Sequence, residues 1–178
     1  MYTTLNKIRE HGPCEDGWIT LLKSLNKTKP DDEPVAISYI IESNGLDNAV
    51  WCLRAVEGHD KEIRLFSVFC ARQVEHLLTD EISSKAIDTA ERYANGEATE
   101  DELSEAYSAA RSAWLSAESA ESAAYVAAYS ATAPAHLVAQ SAWSAAKSAT
   151  QSAAWSAARL DIRKEQKEEL LRICRNTE

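Results

Sequence analysis

The chain has 178 residues, 45% hydrophobic and 26% charged, the makeup of one ordinary soluble domain. Five glycines and four prolines are too few for a disordered or linker-rich chain, and the longest uncharged stretches are alanine and serine, which excludes a membrane span. The net charge of -9 lies wholly in residues 1–103, with 20 acids against 11 bases, and no basic stripe exists to displace counterions from phosphates; nucleic acid and anionic membrane surfaces are excluded as partners, and a basic protein is favoured.

Apolar spacing is helical throughout, with no alternating strand run and no two-residue hairpin signal. Leu5 and Ile8 carry a short first helix that Gly12-Pro13 ends. Trp18, Leu21, Leu22 and Leu25 give the second, at i, i+3, i+4 and i+7. Pro34 suits the first position of a third, where a helix leaves the N–H unpaired anyway; Ile37, Tyr39, Ile40 and Ile41 follow, up to an Asn44-Gly45 stop. Asp47 is placed to cap a fourth, with Val50, Trp51, Leu53 and Val56 on its buried side. Asp60 caps a fifth with the row Ile63, Phe66, Val74, Leu77 and Leu78. A sixth covers about 83–95, from Ala86, Ile87 and Ala90 to Tyr93 and Ala94, and Gly96 ends it.

Thr99 followed by Glu102 is a capping box, which starts a long helix. Composition then changes: 34 of the 56 residues from 104 to 159 are Ala or Ser. The segment is neutral and carries Tyr107, Trp114, Tyr125, Tyr129, Trp143 and Trp155, which marks helix rather than disorder. Ala106, Ala110, Ala113, Ala117, Ala120, Ala124, Ala127 and Ala131 alternate four and three apart, and Ala109, Ser116, Ala123 and Ser130 widen the stripe. Thr132-Ala133-Pro134 breaks it, and Ala135, Ala139, Ala142, Ala146, Ala149 and Ala153 repeat it. The spacing predicts two long antiparallel helices along a methyl-lined seam, where Ala117→Leu or Ala142→Leu overpacks by about 1–3 kcal/mol and Ser119→Leu does not.

Ser112-Ala113-Trp114 recurs as Ser141-Ala142-Trp143, and Ser122-Ala123-Ala124-Tyr125 as Ser152-Ala153-Ala154-Trp155. A repeated helix–turn unit and separate selection for small residues both account for this echo. Charged helix resumes at Leu160, with Leu160, Leu170, Leu171 and Ile173 on one side; a continuation and a kink near Gln151 and Ser152 both fit. The chain reads as all-α, a single domain of about seven to eight helices over residues 1–178. Its short-helix acidic part is 1–98, and the Ala/Ser-rich hairpin with the charged C-terminal helix is 99–178.

No catalytic constellation accompanies this frame. The serines recur at helical spacing without a G-x-S-x-G elbow, and His136 has no acid placed beside it. The glycines sit at helix ends or turns, not in a phosphate cradle. Cys14, Cys52, Cys70 and Cys174 form no C-x-x-C pair and read as reduced thiols, Cys52 and Cys70 as small hydrophobes in helical rows. A turn could bring His11 and Cys14 together, but Gly12 and Pro13 separate them and no second ligand pair follows, so neither a metal nor a cofactor is expected.

Two acidic clusters remain: Asp31, Asp32 and Glu33, and then Glu97, Glu100, Asp101 and Glu102. At helix N-termini such carboxylates complement the macrodipole by about 0.3–1 kcal/mol each. As a patch they dock the lysines and arginines of a protein partner. The outer face of the first long helix, Ser108, Ser112, Ser119 and Ser122 with Leu115, Val126 and Tyr129 beside it, is free of charge and points to a homodimer; as merely solvated surface it leaves a monomer.

Phe69-Cys70-Ala71-Arg72-Gln73-Val74, then Ala86-Ile87-Asp88-Thr89-Ala90-Glu91-Arg92-Tyr93-Ala94-Asn95-Gly96-Glu97 and the Ala-rich double helix, resemble the all-helical immunity-protein family of bacterial toxin systems over about residues 60–174. The opening, with Pro13-Cys14-Glu15-Asp16-Gly17-Trp18 and Asn44-Gly45-Leu46-Asp47-Asn48-Ala49-Val50-Trp51-Cys52-Leu53-Arg54, resembles small proteins of tailed phages. Neither resemblance carries a catalytic residue. Together they imply a non-enzymatic phage or prophage module that neutralises or sequesters another protein in the cytoplasm of a bacterial host. Two other readings stand beside it. One is a small-ligand-binding protein or enzyme with a pocket between the N-terminal helices and the aromatics of the long helices. The other is an acidic DNA mimic, which needs acids spaced like phosphates over one face.

Overall fold

Ten α-helices, two single-turn 3-10 segments and one pair of two-residue strands make up the described residues of the computed structural model, 1–116, 122–134, 137–152 and 156–177. The helices are α1 (Leu5–Glu10), α2 (Glu15–Ser24), α3 (Ile37–Asn44), α4 (Leu46–Cys52), α5 (Asp60–Arg72), α6 (Glu81–Ala94), α7 (Glu100–Ser116), α8 (Ser122–Ala131), α9 (Val138–Ser152) and α10 (Ser156–Asn176). The fold is all-α. Its helices gather into two compact units, Met1–His59 with Lys167–Glu178, and Asp60–Gln166. The second unit starts at Asp60, ahead of the Ala/Ser-rich segment, because α5 and α6 pack with the Ala/Ser-rich helices.

In the first unit Leu5, Ile8, Leu21, Ile40, Ile41, Val50 and Leu53 are buried, as their spacing requires. Thr4 caps α1 by accepting from the Lys7 N–H. Pro34 departs from expectation. The third helix starts only at Ile37, and Val35–Ala36 (β2) pairs antiparallel with Tyr2–Thr3 (β1), Tyr2 opposite Ala36. Two residues are too few to display strand alternation. Asp47 lies inside the first turn of α4, and Gly45, with φ at +82°, takes the cap position instead. Gly17 is held by close approach: a Cβ there would stand 2.6 Å from Asn48 Oδ1. Asn44 Nδ2 donates to the Gly17 carbonyl, and Asn48 Nδ2 to the Asn44 carbonyl, both at 2.8 Å. Leu170, Ile173 and Cys174 of α10 complete this unit's buried set.

In the second unit α8 is the axis. α5, α6, α7 and α9 all pack against it. Ala124, Ala127, Ala128, Ser130 and Ala131 are all buried, so this ten-residue helix yields its small side chains on several sides. A helix that is apolar all round is an enclosed helix. The stripe expected along one helix from Ala106 to Ala131 is divided here. Within one helix residues 107 and 129 would stand about 33 Å apart. Instead the Tyr107 and Tyr129 ring centroids are 4.7 Å apart, and Trp114 stacks on Tyr129 at 5.8 Å. α8 therefore lies back beside α7, which gives its methyl faces neighbours that a single seam would leave wet.

The α9 register holds: Ala142, Ala146 and Ala149 are buried, joined by Ala145. On α7 Ala110 is buried but Ala109, expected within the stripe, is exposed. Ser108 and Ser112 are exposed as expected, whereas Tyr129 turns onto Tyr107 and leaves the proposed serine face. Leu160, expected beside Leu170, is 72% exposed. Gln151 and Ser152, where a kink was the alternative to a continuation, are the last residues of α9; the junction at 153–155, with Ala153 and Trp155, lies outside the described residues, as do Ala117, Ser119, Ala120, Ala135 and His136.

Sequence patterning missed a buried charge. Arg64, 2% exposed within the apolar rows of α5, donates from Nη1 to the Ala131 carbonyl at 3.1 Å, and its guanidinium lies 5.1 Å from the Tyr93 ring centroid. Ala131 ends α8, where unpaired carbonyls and the macrodipole favour a cation. Burial lowers the Arg64 pKa, opposed by Tyr93 and Asp60, and a guanidinium remains charged regardless.

Ala127→Leu is expected to cost about 1–3 kcal/mol by overpacking, against no more than about 0.5 kcal/mol for Ala109→Leu on the exposed side of α7. Equal urea midpoints for the two variants would show that α8 is not enclosed. Thiol labelling reads the packing independently. Cys14 is exposed, Cys52, Cys70 and Cys174 are buried, and burial pushes the Cys52 thiol up to about 12. Native protein should release one equivalent of chromophore promptly with a disulfide reagent, and four only after denaturation.

Candidate acidic docking cleft

The two acidic clusters fall in different units, and their surroundings differ. Asp31, Asp32 and Glu33 precede β2, not a helix, so the macrodipole does not account for them. Lys27 Nζ stands 2.6 Å from Asp31 Oδ2 and 2.6 Å from Glu33 Oε2. Hydrogen bonding to that ammonium, against a desolvation cost, holds the Asp31 carboxyl below its ordinary value and raises Lys27 in turn. Asp31 Oδ1 also accepts from the Glu33 N–H, and the Asp31 carbonyl accepts from the Asn6 N–H. These acids fasten a loop, and Asp32 is left exposed.

The second cluster opens onto something larger. Thr99 and Glu102 form the expected capping box: the Thr99 N–H donates to Glu102 Oε2 at 2.7 Å, and the Glu102 N–H to Thr99 Oγ1 at 3.2 Å. Arg92 Nη2 reaches both Glu102 Oε1 at 3.2 Å and the Glu97 carbonyl at 2.9 Å, tying the start of α7 to the end of α6. Asp88, Glu91, Arg92 and Asn95 stand at i, i+3, i+4 and i+7, hence on one face, and with Glu97 they line a shallow cleft of about 370 Å³.

Arg72 closes one side of this face, 2.6 Å from Asp88 Oδ1 and 2.8 Å from Glu91 Oε2, with both Glu75 oxygens on its other nitrogen. Burial opposes its charge, but these three carboxylates together hold the proton more firmly than usual. Among the described residues Arg72 thus pairs with Glu75, Asp88 and Glu91 and Arg92 with Glu102, while Glu97, Glu100 and Asp101 are exposed and enter no described ion pair. Asp88 and Glu91 were not singled out from sequence. Their i, i+3 spacing on α6 was visible, but the arginine that joins them comes from another helix.

Among the described residues no group of three or more His, Cys, Asp or Glu is gathered to hold a metal, and no helix is long and apolar enough to cross a membrane. The described pocket beside the aromatics is formed by α7, α8, α9 and the α8–α9 turn, without the N-terminal helices. Comparison of the chain with protein-family models, with curated proteins and with solved structures finds no match.

Glu102 gives the capping box a pH signature. The Thr99 N–H bond and Arg92 hold its carboxyl below the ordinary value of 4.5, so its contribution is complete above that pH and is lost as pH falls through the lower folded value. Wild type is expected to exceed Glu102→Gln in stability at pH 7. The gap should narrow below about pH 4.5 and close once the carboxyl is protonated, as read by thermal melts across acid pH.

Proposed function

We propose that this chain is a non-enzymatic protein-binding module that sequesters or neutralises a basic protein, in the immunity or anti-defence manner of a phage or prophage product in a bacterial cytoplasm. The observation that carries the reading is the carboxylate excess around α6 and the start of α7, where Glu75, Asp88, Glu91 and Glu102 pair with Arg72 and Arg92 and three further acids, Glu97, Glu100 and Asp101, are exposed. Arg72 and Arg92 are already engaged by their neighbours, so an incoming lysine or arginine meets the exposed Glu97, Glu100 and Asp101 without having to displace either. Charges at such a rim set encounter rate and partner choice more than raw affinity. The first cluster adds little, because Lys27 already occupies Asp31 and Glu33. A DNA mimic needs acids repeated like phosphates, and arginines interrupt them on this face.

The test is capture from a bacterial lysate with the tagged full-length chain and with a Glu97→Lys, Glu100→Lys, Asp101→Lys triple variant. A basic protein should co-purify with wild type, leave at raised salt, and bind the triple variant about tenfold or more weakly. Identical recovery on both baits, or turnover of a small molecule by the purified chain, would remove the reading.

A further inference from the structure

A pocket of about 130 Å³ opens in the second unit between α7, α8 and α9 and shares no residue with the acidic cleft. Its polar lining is the phenols of Tyr107 and Tyr129, the hydroxyls of Ser130, Ser141 and Ser144, and the carboxamide of Gln140. Ala133 and Leu137 supply an apolar strip. We infer that this pocket binds a small neutral ring bearing several hydroxyl groups, a free monosaccharide or the sugar of a nucleoside.

Charge is the first ground. No described lining residue is ionised at neutral pH. Burial, reinforced by the hydrogen bond with Tyr107, pushes the Tyr129 phenol up to about 12. None of the described lining residues can pair with a charged ligand, which would give up part of its hydration in the pocket; the Arg111 cation acts on Tyr129 from outside that lining.

The second ground is unused hydrogen-bonding capacity. The Tyr107–Tyr129 bond consumes one phenolic proton and leaves the other. Ser141 Oγ donates to the Val138 carbonyl at 2.6 Å, which leaves its oxygen as an acceptor. The side chains of Ser130, Ser144 and Gln140 have no partner among the described residues. Ser130 is only 4% exposed, yet no buried side-chain oxygen among the described residues lacks a partner, so its hydroxyl is the part of the residue that reaches the open pocket, where water or a ligand can pair with it. Hydroxyls both donate and accept, so a ligand with hydroxyls around its rim satisfies this lining in either sense. Its C–H face meets Leu137 and Ala133. Typical drug-sized sites run to about 300–1,000 Å³, so the space here suits a single ring.

Amide-resolved NMR titration of the full chain with glucose, ribose, adenosine, adenine and a phosphorylated ribose tests this. A neutral sugar or adenosine should shift the amides of Ser130 and Gln140 to Ser144 saturably, with a Kd on the order of millimolar. The phosphorylated sugar should bind at least about tenfold more weakly, and Ser130→Ala should weaken binding about five- to tenfold without lowering the melting temperature. Response to glucose or ribose assigns a free sugar, and response to adenosine alone a nucleoside. Ser144→Leu, which fills the pocket, should abolish the shifts and serves if Ser130→Ala disturbs folding. The Glu97, Glu100, Asp101 variant should bind sugar as wild type does, which separates this result from the docking test. Absence of saturable shifts with every neutral probe overturns the inference, as do equal binding of adenine and adenosine or unchanged affinity in both pocket variants.

Discussion

Four helices can stand against a fifth only if that fifth is thin, and the second unit depends on this condition. α8 meets it with alanine at 124, 127, 128 and 131. Each methyl buries little area, so stability comes from many close atom pairs and from short distances between helix backbones. The same condition fixes what surrounds α8. Its last carbonyl is enclosed with the rest and needs a donor that water would otherwise provide, and Arg64 supplies it from α5. Gln166 performs a similar service for α9, donating to the Ala146 carbonyl at 3.1 Å while fully buried.

Enclosure of α8 also explains why polarity collects at its edge. Tyr129 cannot point into the methyl ring, so it leans against Tyr107 and Trp114, and the space beside these rings becomes the hydroxyl-lined pocket. Charge is pushed farther, to the outward face of α6, where Arg72 and Arg92 prevent the acids from repelling one another apart.

Local signals were readable where a single helix determines the outcome. The Thr99–Glu102 box, the Gly96 stop and the Ala142, Ala146, Ala149 row depend on residues within two turns of each other, and all are present. What depends on distant partners was not readable. The spacing from Ala106 to Ala131 is the same whether the helix runs on or folds back, because alanine at every third or fourth place satisfies either arrangement. The role of Arg64 is invisible locally, since nothing near it in the chain announces the Ala131 carbonyl 67 residues on. The acidic cleft was half visible: Glu97 to Glu102 stood out as a run, whereas Asp88 and Glu91 acquire meaning only through Arg72.

The position of α8 within the chain bears on how the protein is made. α5, α6 and α7 precede it and α9 follows, so α8 is synthesised with only part of its enclosure in existence. At about 5–20 residues per second, α9 arrives a second or more after α8 is complete. In that interval one side of α8 faces water. A leucine helix in the same place would present a broad adhesive surface to neighbouring nascent chains; rows of methyl groups present a weak one. The small residues that let the ring close also keep the half-built ring quiet while it waits on the ribosome.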